Sequence, residues 1–365
     1  MRARIGAAFL ALAATALGGD GAAGGVPQNP LDPFMLYSPN ASTLRVVPLR
    51  HGQLPDLEQG TALQPSCGKG VDPKQPVVGV ILHEGAILAL RDGSEPGFSR
   101  FEFDALGQWR EVAVGAWPRG WYVAATADLD RDGRDELLLA RRVQPQGYSA
   151  YRVKVATPSQ DGGYDFTQPE REVYASTWFA TFTLGDVDDD GQADLVFHQI
   201  PHGGPSPLRV EFHSGRGDGT FAEERRLLLS APEAAHNLVL ADFNADGTLD
   251  LFLPPDDDVR DFGQAHLALS QPKGPRVLAP SLDLRPAGES WGTDNGAFFA
   301  VATDVDLDGH LDVVARFTSW GRGHDYSYEV FRGHADGSFG PAERLTQGAP
   351  DPGAHLPTFG WIPGL

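Results

Sequence analysis

The chain has 365 residues, 41% of them hydrophobic, with 44 Gly and 29 Pro. So many turn formers leave room for a sizeable core but argue against long helices, and point to an all-β chain. A formal net charge of −20 speaks against nucleic acid and anionic lipid surfaces as partners.

Residues 1–18 read as a secretory signal peptide. Arg2 and Arg4 precede an apolar run from Ile5 to Ala14, and Ala14-Thr15-Ala16 offers small residues for cleavage. The run is too short to stay as a membrane span. The one cysteine, Cys67, lies far from it, so neither a lipid-anchor cysteine nor an intrachain disulfide is expected. Residues 19–33 are rich in Gly and Pro and read as a flexible lead-in. The expectation is a secreted or periplasmic monomer, stapled by something other than disulfides.

From Phe34 the chain alternates short apolar runs with turns. Phe34–Tyr37 and Leu44–Val47 read as strands, and residues 57–76 as loop. Four more strands follow at Val77–Leu82, Ala86–Leu90, Phe98–Phe103 and Trp109–Val114, the content of one propeller blade. From residue 118 to 348 a longer unit repeats. Its landmark is an acidic loop starting at Asp128, Asp186, Asp242 and Asp304, at intervals of 58, 56 and 62 residues. Such periods mean stacked units. Each unit gives a strand, the loop, a buried strand, a third strand, and a Gly-rich turn into a fourth. Two of these turns are near copies, Asp218-Gly219-Thr220-Phe221 and Asp336-Gly337-Ser338-Phe339. The repeat predicts an all-β β-propeller of four-stranded antiparallel blades over residues 34–365. About six blades fit, or seven with short early ones. The tail, residues 349–365, is expected to pair with the first strands and complete a blade, since an open ring leaves edges unpaired.

The acidic loop reads D-x-[DN]-x-D-G-x-x-[DE] before an apolar strand. Crowded carboxylates repel one another and call for a cation. Oxygen donors at alternate positions with a Gly at the turn suit Ca²⁺. An EF-hand would place a Glu at position twelve, but Leu139, Phe197, Leu253 and Ala315 stand there. The acid comes at position nine instead, and no amphipathic helix follows.

These loops and turns resemble the FG-GAP, or VCBS-type, repeats of calcium-binding propellers such as integrin α-subunits. The resemblance implies up to four Ca²⁺ ions, each held by side chains at positions one, three, five and nine and by the carbonyl at seven. That assigns Asp128, Asp130, Asp132, Arg134 (carbonyl) and Glu136 to site one. Site two takes Asp186, Asp188, Asp190, Gln192 (carbonyl) and Asp194. Site three takes Asp242, Asn244, Asp246, Thr248 (carbonyl) and Asp250. Site four takes Asp304, Asp306, Asp308, His310 (carbonyl) and Asp312. Glu136 is longer than the usual Asp and Asn244 removes a charge, so sites one and three are expected to be weaker.

The implied role is an interaction or adhesion module for an extracellular protein or glycan. A propeller polysaccharide lyase or hydrolase and a lectin-like sugar binder are the alternatives. No catalytic residue and no organic cofactor is assigned. Arg216-Gly217-Asp218 reads as an outer turn rather than an integrin lure. Trp121 and Trp178 read as blade core, and Trp291, Trp320 and Trp361 as surface candidates. His198 and His202 have a zinc-like spacing, but Pro201 denies them a helix. His213 and His324 read as solvated blade-edge residues, Asp256-Asp257-Asp258 as a solvated loop, and Cys67 as a thiol without special role.

Overall fold

The computed structural model describes residues 34–40, 43–48, 51–54, 61–67, 77–83, 86–91, 96–103, 108–143, 150–160, 162–174, 177–201, 208–231, 238–254, 264–270, 277–278, 282–283, 295–319 and 325–347. All regular elements among them are strands, every pairing is antiparallel, and no helix is long and apolar enough to cross a membrane.

The first sheet holds β1 (Phe34–Asn40), β2 (Thr43–Pro48) and β3 (Thr61–Leu63). Five blades follow in chain order. Blade one is β4 (Val77–His83), β5 (Ala86–Arg91), β6 (Gly97–Phe103) and β7 (Trp109–Ala116). Blade two is β8 (Tyr122–Ala127), β9 (Glu136–Val143) and β10 (Ala150–Pro158), with β11 (Tyr164–Asp165) and β12 (Arg171–Tyr174) both pairing β10. Blade three is β13 (Thr177–Gly185), β14 (Asp194–Pro201), β15 (Leu208–His213) and β16 (Arg226–Ala231). Blade four is β17 (Val239–Ala241), β18 (Asp250–Leu253) and β19 (Gln264–Leu269), with β20 (Val277–Leu278) and β21 (Leu282–Asp283) both pairing β19. Blade five is β22 (Asn295–Thr303), β23 (Asp312–Ser319), β24 (Asp325–Gly333) and β25 (Phe339–Gln347).

The radial arrangement follows from which strands touch between blades. The first strand of each blade packs beside the first strand of the next, β4 on β8, β8 on β13, β13 on β17 and β17 on β22. The second strands are covered on both faces. Leu138 and Ala140 join the core with Leu195 and Phe197 of blade three, whereas Leu137 and Leu139 join Leu88, Leu90 and Phe98 of blade one. Alternate side chains point to opposite faces of a strand. A strand sandwiched between two blades must therefore be apolar throughout, which is why these segments read as unbroken hydrophobic runs.

Three expectations change. The count of about six four-stranded blades becomes five blades of four or five strands plus a three-stranded sheet. Residues 57–76 are not all loop, because β3 pairs with β2 there. The outer strand is split in blades two and four, so four strands per blade is not uniform. The segments on either side of β3 touch both ends of the series. Gly52 N–H donates to the carbonyl of Asp306 in blade five, while the Pro65 carbonyl accepts from Arg91 and Cys67 N–H donates to Ser99 in blade one. The stretches read as signal, lead-in and tail, residues 1–33 and 349–365, lie outside the described residues, as do His202, His324, Asp256–Asp258, Trp291, Trp320, Trp361 and the Trp178 side chain.

Candidate metal centres

Each acidic loop joins the first two strands of a blade, from blade two to blade five. Its path needs two consecutive sharp turns. Position four adopts a left-handed backbone in all four copies, at Arg131 (φ 65°), Asp189 (57°), Ala245 (56°) and Leu307 (62°). Position six is Gly133, Gly191, Gly247 and Gly309, with φ between 81° and 93°. Only glycine accepts that conformation without strain.

Short hydrogen bonds hold this path. The position-one carboxylate accepts the glycine N–H, from Gly133 to Asp128 at 3.0 Å, Gly191 to Asp186 at 2.7 Å, Gly247 to Asp242 at 2.8 Å and Gly309 to Asp304 at 2.9 Å. Position five accepts the N–H of position seven, from Arg134 to Asp132, Gln192 to Asp190, Thr248 to Asp246 and His310 to Asp308, at 2.8–2.9 Å.

Position nine is buried. Glu136 is 1% exposed and Asp194, Asp250 and Asp312 are 0% exposed. One oxygen of each accepts the N–H of position two, from Leu129, Val187, Phe243 and Val305, at 2.8–3.0 Å. The other oxygen reaches the end of the third strand. Asp194 accepts Gly215 N–H at 2.8 Å, Asp250 accepts Ser270 N–H at 2.7 Å and Asp312 accepts Gly333 N–H at 2.9 Å. These bonds fasten three strands together at the loop.

Loop one lacks the last bond, and the register says why. Position ten faces His213, Ala268 and Phe331 in loops two to four, and the donors Gly215, Ser270 and Gly333 lie two residues further on. In loop one, Leu137 faces Ala156, and two residues further on is Pro158. Proline has no N–H to give. Glu136 Oε1 is accordingly buried without a partner, and so is Asp128 Oδ1 beside it.

Carboxylate oxygens converge in three loops. Ligand atoms of Asp128, Asp130 and Glu136, of Asp186, Asp188 and Asp194, and of Asp304, Asp306 and Asp308 lie within 4.8 Å of one another. Asp132, Asp190 and Asp312 flank these groups rather than join them. In loop three the Asn244 amide donates to Asp246 at 3.1 Å, so an amide stands where the other loops bring a carboxylate. Burial raises Glu136, Asp194 and Asp312 to about 7 and Asp250 to about 6, with neighbouring loop carboxylates adding to the effect and backbone donors opposing it. A carboxylate that must shed its charge to remain buried is one a cation would stabilise. The donor set is all oxygen, and buried oxygens at Asp128, Glu136 and Asp188 lack partners. These residues fit a hard divalent ion.

The loops also lie at the seams between blades. Turn 217–221 of blade three docks on loop one, with Gly219 N–H donating to the Leu129 carbonyl at 3.1 Å and Phe221 buried in the same core as Leu129. Turn 335–339 of blade five docks on loop three, where Phe339 lies 5.7 Å from Phe243 and 6.0 Å from Phe252, ring centre to ring centre. Arg216-Gly217-Asp218 is part of the first turn, as read. Its Asp218 accepts the Thr220 N–H and hydroxyl at 3.0 and 2.6 Å.

Sequence reasoning missed the residues that reach the loops from outside. Arg226 Nη1 pairs with Asp188, and Arg332 Nη1 pairs with Asp306. Gly215 and Gly333 stand three residues before Asp218 and Asp336, a spacing that superposing the two outer turns would have shown. The solvated reading of His213 is corrected. It is 6% exposed, stacked on Phe197 at 5.4 Å and 3.0 Å from Arg171 of the preceding blade, which covers that edge. Burial, with help from the Arg171 charge, lowers its pKa to about 4. His198 is a buried strand residue 2.5 Å from the Thr181 hydroxyl. Trp121 is core as expected, with Arg141 and Lys154 each 4.7 Å from its ring. Cys67 is a buried free thiol.

A sequence model of the FG-GAP-like repeat matches residues 128–197, from the start of loop one into β14. No curated protein matches the chain. Among solved structures, a Lactobacillus plantarum protein is 16% identical, covering 87% of this chain and 82% of its own, with a TM-score of 0.47. A 6-phosphogluconolactonase candidate from Bacteroides fragilis is 12% identical, covering 88% and 84%, at 0.47. A Synechocystis apocarotenoid oxygenase mutant is 10% identical, covering 87% and 72%, at 0.42. The match over residues 128–197 identifies an FG-GAP-like repeat in blades two and three of this all-β propeller.

Proposed function

We propose that the protein is an extracytoplasmic, calcium-stapled propeller that presents a binding surface to an extracellular protein or glycan. The observation that carries the calcium reading is the set of buried, unpartnered carboxylate oxygens at Asp128, Glu136 and Asp188 within converging acidic clusters. Asp128, Asp130 and Glu136 would hold the ion in loop one, Asp186, Asp188 and Asp194 in loop two, and Asp304, Asp306 and Asp308 in loop four. A bound ion would supply positive charge to groups that otherwise repel. Because loop one sits under the outer turn of the next blade, ordering it also fixes that seam. Extracellular calcium modules bind at about 10⁻⁴–10⁻³ M, which suits a staple in a calcium-rich compartment. The basic, apolar start of the chain supports that compartment.

The test is thermal unfolding of the full chain in calcium chloride and in EGTA. Calcium binding to the native state alone raises the midpoint by mass action. Identical midpoints would end the reading. A glycan and protein array in calcium tests the binding surface, and release of reducing ends from a pectin or glucan panel would replace the module with an enzyme.

A further inference from the structure

The four loops share one backbone and one problem, packed negative charge, yet they solve it differently. We propose that loop one is the site that requires a divalent ion, and that loops two and four each carry a resident guanidinium with which an incoming ion must compete. The proposal rests on reading the loops as calcium sites and ranks them.

Loop one is the least compensated. Pro158 takes the place of the backbone donor that serves Asp194, Asp250 and Asp312. Glu136 Oε1 and Asp128 Oδ1 are left buried and unpartnered. Its position-three acid, Asp130, accepts the Asp132 N–H at 3.1 Å rather than a guanidinium. The extra methylene of Glu136 goes with the missing donor, so length alone gives the wrong ranking for this site.

Loops two and four hold their own cations. Arg226 pairs with Asp188 in blade three, and Arg332 pairs with Asp306 in blade five. Arg226 starts β16, and Arg332 is the last residue but one of β24. Each also has somewhere to go. Arg332 is held by Glu343 at 2.7 Å, and Arg226 lies 4.7 Å from the Phe212 ring centre and 3.2 Å from the Ser214 hydroxyl. Leaving the loop therefore strands neither charge. A guanidinium and a divalent ion compete for the charge of one carboxylate, less sharply in loop two, where Arg226 takes Asp188 Oδ2 and leaves Oδ1 unpartnered, so the arginine lowers affinity while keeping the ion-free loop neutralised. Loop three needs less compensation because Asn244 carries no charge.

Calcium titration calorimetry on the full chain decides this. Glu136→Gln should abolish the tightest class of sites. Arg332→Gln should tighten a weaker class roughly tenfold, and Arg226→Gln roughly threefold, because Arg226 is the more exposed. Arg332→Lys keeps the charge and should stay near the parent. Without calcium, both glutamine variants of the arginines should melt earlier than the parent and Glu136→Gln later. Unchanged or weaker calcium binding in the arginine variants would overturn the proposal, as would a surviving tight class in Glu136→Gln. A parent chain that binds no calcium would sink the calcium reading itself. A parent that binds it with insensitive variants would sink only the ranking.

Discussion

The seam between blades two and three and the seam between blades four and five are built from the same parts, an acidic loop beneath an outer turn, yet they cohere differently. At the first, Leu129 and Phe221 join the large apolar core that blades two and three share, but no aromatic ring of the loop meets the turn, and the contacts around the turn itself are polar. Arg131 donates to the Gly191 carbonyl at 2.5 Å, and Arg171 donates to the carbonyls of Phe221 and Ala222 at 3.1 and 2.6 Å. At the second, Phe243, Phe252 and Phe339 form a trio of tilted and edge-on rings, and Gly337 packs against the Asn244 side chain. Both seams bury an apolar core, and the difference lies where turn meets loop. The loop that keeps its full set of acids meets its turn through polar contacts, and the loop that has exchanged one for asparagine meets its turn through aromatic rings. Where rings pack directly between loop and turn, a bound ion has less to add.

The strongest way to separate the seams is pH. In EGTA, carboxylates with raised pKa values contribute fully only below their ordinary values near 4. Their contribution is lost as pH rises through about 6 for Asp250 and about 7 for Glu136 and Asp194. His213 works the other way, contributing above its ordinary 6.5 and losing that as pH falls toward about 4. Several acids oppose one histidine, so the chelated chain should lose ~3 kcal/mol or more between pH 5 and 8, and calcium should remove most of that slope. Midpoints of urea unfolding at the two pH values measure it. A chelated chain that grows more stable over this range would contradict the burial of these acids.

Next come the turn phenylalanines. Phe221→Ala and Phe339→Ala should each cost ~2–4 kcal/mol in urea unfolding. Calcium should recover part of the loss at Phe221 and little at Phe339. Equal rescue would erase the difference between the seams. A smaller effect is expected from Asn244→Asp, which gives loop three its missing acid. It should destabilise the chelated chain by ~1 kcal/mol and enlarge the calcium shift, read by differential scanning calorimetry. Of similar size but opposite sign, Pro158→Ala returns an N–H to face Glu136 Oε1. It should stabilise the chelated chain by ~0.5–1.5 kcal/mol and shrink the calcium shift, and an unchanged shift would argue that the missing donor is immaterial.

The acidic loops, their intervals and the apolar second strands were legible in the sequence because each is set by residues within one hairpin. Alternation of glycine and acid dictates the turn, and a run such as Leu137-Leu138-Leu139 has no solvent face whichever side it shows. Tertiary structure alone decided what lies beside each loop, from other strands of its own blade or from the next blade. Pro158 opposite Glu136, Arg226 on Asp188, Arg332 on Asp306 and Arg171 over His213 join residues 22 to 42 positions apart. The blade count belongs to the same class, since β3 gains a place only by pairing with β2. Local backbone preference writes a loop into its own residues, whereas the neutralisation of its charge depends on partners that strand pairing brings near from elsewhere in the blade.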